Sequence, residues 1–358
     1  MFKKIFTLLE KTAIRGRSSL TGFTFFSCPS LAQGTRRKNA VLKLENPCAN
    51  SFFSLLCHGK CFARKKIRSI TGDEVEGYFF SRCFDGSKDK ILKESSLIDG
   101  LVEIEAFSLK NGAGILGIDI SGEPLAHKWG AVCAKLKIPL TTGKSLIAWS
   151  AYEAIYRMAH LRRIDLKNTS LAAIGISDSA VALCCKKLSG VVKRIAIFDP
   201  DKDKAKRLSE ETLFLNPKIE ISLADTIDAA VKGSDIVLLS GDLQDELNFL
   251  DTINPGGIVC YIFNPGMSLQ KRNPFRGAGF ISAGFIRLPR ANNLRLIKGL
   301  PQNVVFAAMA ETMLLALEGK FADYSGSEDT NIDKMEEIAD IAARHGFEVW
   351  VPEAPLYI

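Results

Sequence analysis

The sequence predicts an α/β protein in which a Rossmann-type, doubly wound parallel sheet is preceded by a smaller α/β substrate domain. The main observation is at residues 171–199, where an apolar run ends at Gly175, an amphipathic helical pattern follows, and a second apolar run ends at Asp199. This order of strand, tight turn, helix and acidic-tipped strand is typical of the first unit of a dinucleotide-binding sheet. The alternation continues to residue 263, and strands that alternate with helices form parallel sheets.

The remaining elements are predicted from periodicity and turn chemistry. In the sheet half, the pattern gives a helix at 225–232 and strands at 218–222, 235–240, 257–263 and 280–287. Before it, the pattern gives a hairpin around 71–73, a helix at 92–110, a strand at 115–120, a short helix at 131–136 and a long helix at 145–163. Two helices, at 302–318 and 331–345, close the chain. A short amphipathic helix is expected at 1–11, and no element is predicted at 22–68.

These elements suggest a division of the chain, whose 358 residues are enough for about two domains. Residues 1–66 are expected to form a basic, poorly organised arm. Residues 67–144 are expected to form the substrate or catalytic domain, with the helices of 302–350 packing back against it. Residues 165–300 are expected to form the dinucleotide-binding-type domain.

Charge is concentrated at the start of the chain, where residues 1–70 carry 14 Lys and Arg but two acidic residues. An organelle presequence, a basic face for an acidic protein partner, and a solvated arm all agree with this excess. No motif for nucleic acid accompanies it, and no apolar run is long enough to span a bilayer. Nine cysteines, an odd number, suit a reducing compartment, so a cytoplasmic location is expected. The run Cys57-His58-Gly-Lys-Cys61 resembles half of a metal site, but the sequence has no second half, so no metal site is expected.

Several runs of sequence resemble the cyanobacterial long-chain acyl-ACP reductases and their bacterial relatives. The C-terminal runs are Phe306-Ala-Ala-Met-Ala-Glu-Thr-Met-Leu-Leu-Ala-Leu-Glu-Gly319, Ile332-Asp-Lys-Met-Glu-Glu-Ile and Arg344-His-Gly-Phe347. Earlier pieces are Ser69-Ile-Thr-Gly72 with Gly77, Ser81-Arg-Cys-Phe84, Thr141-Thr-Gly143 and the strand–turn–helix unit itself. The resemblance covers about residues 67–350. It implies a two-domain oxidoreductase that uses NADPH to reduce an acyl thioester to an aldehyde through a covalent cysteine thioester.

This sequence departs from that family at the positions that carry the chemistry. The family's nucleophilic cysteine lies two residues after the phenylalanine that matches Phe306, where this chain has Ala308, and a methyl group cannot attack a thioester. The family's Gly-x-x-Gly-x-x-Gly turn reads Gly175-Ile-Ser-Asp178-Ser-Ala-Val181 here. Two alternatives follow. Either Asp178 points away and Ser177 and Ser179 help to hold phosphate, or Asp178 caps the helix amides and no dinucleotide binds.

The other candidate residues follow strands of the predicted sheets. Asp199 is placed to accept hydrogen bonds from an adenosine ribose, which favours NAD over NADP; alternatively, Asp199-Pro-Asp201 caps the next helix. Lys144 is the candidate proton donor, with a solvated lysine as the alternative. The expected cofactor-binding residues are Gly175, Ser177, Ser179, Asp199, Thr142, Gly143, Ser240 and Asn264.

Two functions from different classes agree with these patterns. The first is an NAD(P)-dependent oxidoreductase that transfers hydride directly to an acyl, semialdehyde or hydroxy-acid substrate, either small or carrier-linked, without a cysteine adduct. The second is a catalytically silent relative that keeps the two-domain fold and acts as a binding or scaffold subunit. Its basic arm would then bind an acidic partner.

Overall fold

A computed structural model describes residues 21–29, 60–81, 94–121, 129–240, 252–262, 278–297, 300–324 and 331–352 of the chain. The helix predicted at 1–11 and the candidate residue Asn264 lie outside the described residues. No helix in these ranges is both long and apolar enough to cross a membrane.

The first half contains a five-stranded sheet with the strand order β2-β3-β1-β4-β5. Its strands are β1 (Gly22–Pro29), β2 (Lys60–Arg68), β3 (Glu74–Ser81), β4 (Ala113–Ser121) and β5 (Leu140–Thr141), and its helices are α1 (Glu94–Lys110) and α2 (Trp129–Lys135). The predicted hairpin is confirmed, because β2 and β3 pair antiparallel with Arg68 opposite Glu74. The other pairs are parallel.

The prediction that residues 22–68 form no element is wrong, since β1 is the central strand of this sheet and β2 is its edge. Residues 22–29 and 60–66 of the expected basic arm therefore lie in strands. The physical reason is that both faces of β1 are covered. Phe23 and Phe25 lie in one core cluster and Phe26 lies in another, so the strand shows no alternation of apolar and polar residues.

The second half contains a six-stranded sheet of parallel strands with the order β11-β10-β9-β6-β7-β8, which confirms the doubly wound fold class. Its strands are β6 (Ser170–Ile174), β7 (Arg194–Phe198), β8 (Glu220–Leu223), β9 (Ile236–Leu239), β10 (Ile258–Ile262) and β11 (Gly279–Ala283). The helices are α3 (Lys144–Leu161), α4 (Ser179–Leu188), α5 (Lys202–Leu215) and α6 (Ile227–Val231). The strand order reverses between β6 and β9, and ligands bind at such a switch point in open α/β sheets.

Two predictions at the C-terminal end need correction. The strand predicted at 280–287 is two strands, because Gly284 has a φ of 101° and turns the chain out of the parallel sheet. The second piece, β12 (Phe285–Arg287), pairs antiparallel with β13 (Val304–Phe306) and β14 (Glu348–Val349). The helix predicted at 302–318 therefore begins later, as α7 (Ala307–Leu317).

The last helices connect the two halves. Met309 and Met313 of α7 share a core cluster with Phe23, Phe25 and Ile115 of the first sheet. The final helix, α8 (Ile332–His345), begins at the cap Asn331 and ends at Gly346, as the sequence predicts. Its Met335 lies in the core of the second sheet and its Ile338 in the core of the first. The final helix therefore packs against both sheets.

Candidate functional site

The candidate site lies at the switch point of the parallel sheet, where β6 and β9 end side by side. Gly175 follows β6 with a φ of 75°, a conformation that favours glycine. A β-carbon at this position would lie 2.4 Å from the carbonyl oxygen of Ser240, which follows β9. The two predicted residues therefore do come together, and the turn after β6 is held tightly against the end of its neighbour.

Asp178 is the N-cap of α4, and both of its carboxylate oxygens are engaged. Oδ1 accepts a hydrogen bond from the Ala180 amide at 3.0 Å and lies 2.7 Å from Lys144 Nζ, while Ser240 Oγ donates to Oδ2 at 2.9 Å. Burial would raise the pKa of Asp178, but the Lys144 charge and these hydrogen bonds hold it below its usual value. Of the two alternatives for this turn, the structure has the carboxylate capping the helix.

Asp199 is also directed at the turn. Its carboxylate accepts hydrogen bonds from the Ser177 amide at 2.8 Å, from Ser177 Oγ at 3.1 Å and from the Asp201 amide at 2.9 Å. Asp201 in turn caps α5. The side chain of Asp199 is buried, and its carboxylate joins the turn after β6 to the residue that caps α5. Lys204 Nζ lies 3.3 Å from Ser177 Oγ, so a second ammonium group reaches the same turn.

Lys144 reaches this turn from the start of α3, because the loop before it packs closely on α7. Gly143 has a φ of 74°, and a β-carbon there would lie 2.1 Å from the Cα of Ala308. Ala308 is itself buried in the first turn of α7. The position at which the resembled family carries its nucleophile therefore borders the candidate site, but here it presents a methyl group.

The sequence analysis missed Glu311, a fully buried carboxyl group on α7. It accepts a short hydrogen bond from Thr141 Oγ1 and one of 2.7 Å from the Leu146 amide in the first turn of α3. Burial raises the pKa of Glu311 to about 7, against the opposing effects of these hydrogen bonds and of the Lys334 charge. A signal was present, because Glu311 is the sole charged residue of α7.

Asp119 is a second residue that the sequence analysis missed. Gly117 of β4 is the register partner of Thr141, so Asp119, two residues later, is level with the loop before Lys144. Burial raises the pKa of Asp119 to about 6, with the Lys144 charge acting against the rise and the Asp178 charge adding to it. The site therefore contains a carboxyl group with a raised pKa that interacts with the Lys144 charge.

The residues of the turn do not fit the diphosphate of a dinucleotide in this arrangement. The amides of Ser177 and Ala180 already donate to the protein's own carboxylates. The fully buried side chain of Val181 stands where glycine permits close helix–strand packing. The predicted residues Thr142 and Ser179 are half-buried at the starts of α3 and α4.

Three of the four thiols whose side chains the structure describes are too deeply buried to replace the missing nucleophile. Cys184, Cys185 and Cys260 are buried in the core of the second sheet, and burial raises the pKa of each, for Cys185 to about 12. Cys133 is half-buried on α2. Across the described ranges, no group of three or more His, Cys, Asp or Glu side chains is arranged to hold a metal ion.

No protein-family model matches this chain. Among curated proteins, it is 22% identical over 300 residues to the aminotransferase PigE of Serratia sp. (strain ATCC 39006), a match that covers 80% of this chain and 34% of that protein. The chain thus spans about a third of the length of this relative.

Solved structures with a similar arrangement include two NAD complexes. Shikimate 5-dehydrogenase from Listeria monocytogenes, with shikimate and NAD, is 13% identical with a TM-score of 0.38, covering 91% of this chain and 99% of the other. Quinate dehydrogenase from Corynebacterium glutamicum, with NAD, is 12% identical with a TM-score of 0.39, covering 89% and 98%. Ornithine transcarbamoylase from Giardia lamblia is 10% identical with a TM-score of 0.37, covering 76% and 81%.

Proposed function

We propose that this chain is a catalytically silent relative of the Rossmann-type oxidoreductases and acts as a binding or scaffold subunit. The observation that carries this proposal is the pair of carboxylates on the turn after β6. Asp178 accepts a hydrogen bond from the Ala180 amide, and Asp199 accepts one from the Ser177 amide. The donors that would hold a diphosphate are therefore satisfied within the protein. A bound diphosphate would also meet two negative charges at close range.

The absence of a nucleophile supports the same proposal. The resemblance to the acyl-ACP reductases places a cysteine at the start of α7, and Ala308 lies there instead, against Gly143. The described cysteines of the second sheet are buried and have raised pKa values, so they are poor nucleophiles. Neither the family's covalent step nor its cofactor-binding step has its usual residues in this chain.

The test is a titration of the purified protein with NADH and with NADPH, followed by nicotinamide fluorescence. No saturable change up to millimolar concentrations is expected for either nucleotide. Saturable binding of either one with a Kd below about 1 mM, equivalent to about 4 kcal/mol of binding free energy, would overturn the proposal.

As a scaffold, the chain would hold an acidic partner, such as an acyl carrier protein, through the basic residues of 1–70. The excess of positive charge there supports this part of the proposal. Binding should weaken steeply with salt, because exposed charges are screened within about 10 Å at 0.1 M ionic strength. The proposal also keeps the division into a domain of 67–144 with 302–350 and a second domain of 165–300. The two larger sheets support this division up to residue 284, whereas residues 285–300 pair and pack with the first domain.

A second candidate function is an NAD(P)-dependent oxidoreductase that transfers hydride directly to a small or carrier-linked acyl, semialdehyde or hydroxy-acid substrate. It is favoured by the placing of Asp119 beside Lys144, since groups with perturbed pKa values cluster at functional sites. Such a pair can exchange a proton with a substrate oxygen. This candidate predicts consumption of NADH, in preference to NADPH, with a substrate of one of these classes, and loss of that activity in Asp119→Asn.

A further inference from the structure

The Asp178 carboxylate is surrounded in the way that proteins surround a bound anion. It contacts an ammonium group (Lys144), a hydroxyl group (Ser240) and a backbone amide at a helix N-terminus (Ala180). We propose that Asp178 is a built-in substitute for a cofactor phosphate, and that removing its side chain opens a site for free phosphate or pyrophosphate at the start of α4. This inference rests on the proposed loss of dinucleotide binding and deepens it.

The charges around the turn support this inference. With Asp178 present, its carboxylate balances the Lys144 ammonium group 2.7 Å away. Without it, Lys144 faces the positive end of α4 with Asp119 as its remaining carboxyl neighbour, and Lys204 is a second cation at Ser177. Two ammonium groups, two hydroxyl groups and a helix N-terminus form the donor set that phosphate oxygens prefer.

Asp178 also connects the two halves of the folded protein. Lys144 begins α3, directly after the first sheet, whereas Asp178 and Ser240 follow strands of the second sheet. The carboxylate therefore joins the two halves across the edge where a bound ligand would lie. A phosphate placed there would make the same connection, because it can accept from all three partners at once.

The experiment measures the thermal stability of Asp178→Gly in increasing inorganic phosphate or pyrophosphate, with ionic strength held constant by chloride. Asp178→Ser is measured in parallel, because serine keeps an N-cap while leaving space for the anion. In both variants, either anion at tenfold its Kd should raise Tm by about 2 °C, with saturation. The wild type should show no saturable shift.

The matched control is Asp201→Gly, which removes the N-cap of α5 but leaves Asp178 in place. Asp201→Gly should have a lower Tm than the wild type, and phosphate should not raise that Tm. The inference is overturned if both Asp178 variants are folded and neither is stabilised by either anion, or if Asp201→Gly is stabilised equally. Binding of NADH to the wild type would instead overturn the proposed function, so the two failures are distinguishable.

Discussion

The carboxylate of Asp178 and the ammonium group of Lys144 lie 2.7 Å apart, and they join the turn after β6 to the start of α3. Both side chains are partly shielded, and the carboxylate also caps a helix and accepts from Ser240. An ion pair that is shielded and further hydrogen-bonded is costly to break from one side, because the remaining charge is left without a partner. This pair is therefore central both to the fold at the site and to the proposed loss of dinucleotide binding.

Replacing the lysine of this pair should destabilise the protein. We expect Lys144→Met to lower the free energy of unfolding by about 1–3 kcal/mol at about pH 7, since it leaves the Asp178 carboxylate unpaired. The lowered pKa of Asp178 contributes stability above the carboxyl's unfolded pKa, and this stability is lost as pH falls through the folded pKa. Urea denaturation should therefore show that the difference in unfolding free energy between variant and wild type narrows as the pH falls below 3.8, the ordinary pKa of an aspartate.

The control for that substitution is Lys66→Met, which breaks an ion pair with Glu74 on the surface of the first sheet. Exposed pairs contribute little, so a change within about 0.5 kcal/mol is expected. Equal effects of the two substitutions would contradict the central role of the Lys144–Asp178 pair.

Glu311→Gln should change how stability depends on pH. The pKa of Glu311 is raised to about 7 in the folded protein, so this carboxyl group stays protonated to a higher pH in the folded state than in the unfolded state. Wild-type stability should therefore fall as pH rises from about 4.5 to 7, by up to about 3 kcal/mol, and the variant should lack this fall. Lys334 acts on Glu311 from α8, and Asp119 titrates in the same direction, so some slope should remain in the variant.

Denaturation midpoints measured across this pH range check the prediction, with the exposed Asp340→Asn on α8 as the control. Asp340→Asn should leave the wild-type slope unchanged. A variant Glu311→Gln with the full wild-type slope would contradict the raised pKa of this buried carboxyl group.

Ala308→Cys should restore a thiol at the site without restoring reduction. The position is buried against Gly143 at the start of α7, so the variant places a nucleophile where the resembled family has one. With an acyl thioester and NADPH, mass spectrometry should find at most an acylated cysteine and no aldehyde, because the proposed function excludes nucleotide binding. Aldehyde formed by this variant would show instead that the nucleophile alone is missing.

The native thiols should differ in reactivity. At about pH 8, iodoacetamide should label the half-buried Cys133 and leave the buried Cys184, Cys185 and Cys260 unlabelled, since burial raises their pKa values. All four should react after unfolding in denaturant, which serves as the control. Rapid native labelling of Cys184 or Cys260 would contradict their placement in the core of the second sheet.

The sequence predicts the parts of the fold that depend on local patterns. The unit β6–α4–β7, the β2–β3 hairpin and the capped ends of α8 were all visible in periodicity and turn residues. The central strand β1 was not, because both of its faces are buried and its apolar run has no alternation. The break at Gly284 and the late start of α7 were also missed, since they depend on pairing between β12 and β13.

The site was predictable only in part. Asp178 was recognised as unusual, and both of its possible roles could be named from the sequence. Its partner Lys144 is 34 positions away, and the contact exists because Gly143 packs against Ala308 and directs the start of α3 at the turn. Asp119 and Glu311 were missed because their roles come from strand register and burial, which no local pattern encodes.

The most direct test of the central claim is a crystal structure of the wild-type protein grown in millimolar NADH. We expect the Asp178 carboxylate within hydrogen-bond distance of the Ala180 amide and Lys144, and no nucleotide at the start of α4. A diphosphate bound there, with the Asp178 side chain turned away from the helix, would contradict it.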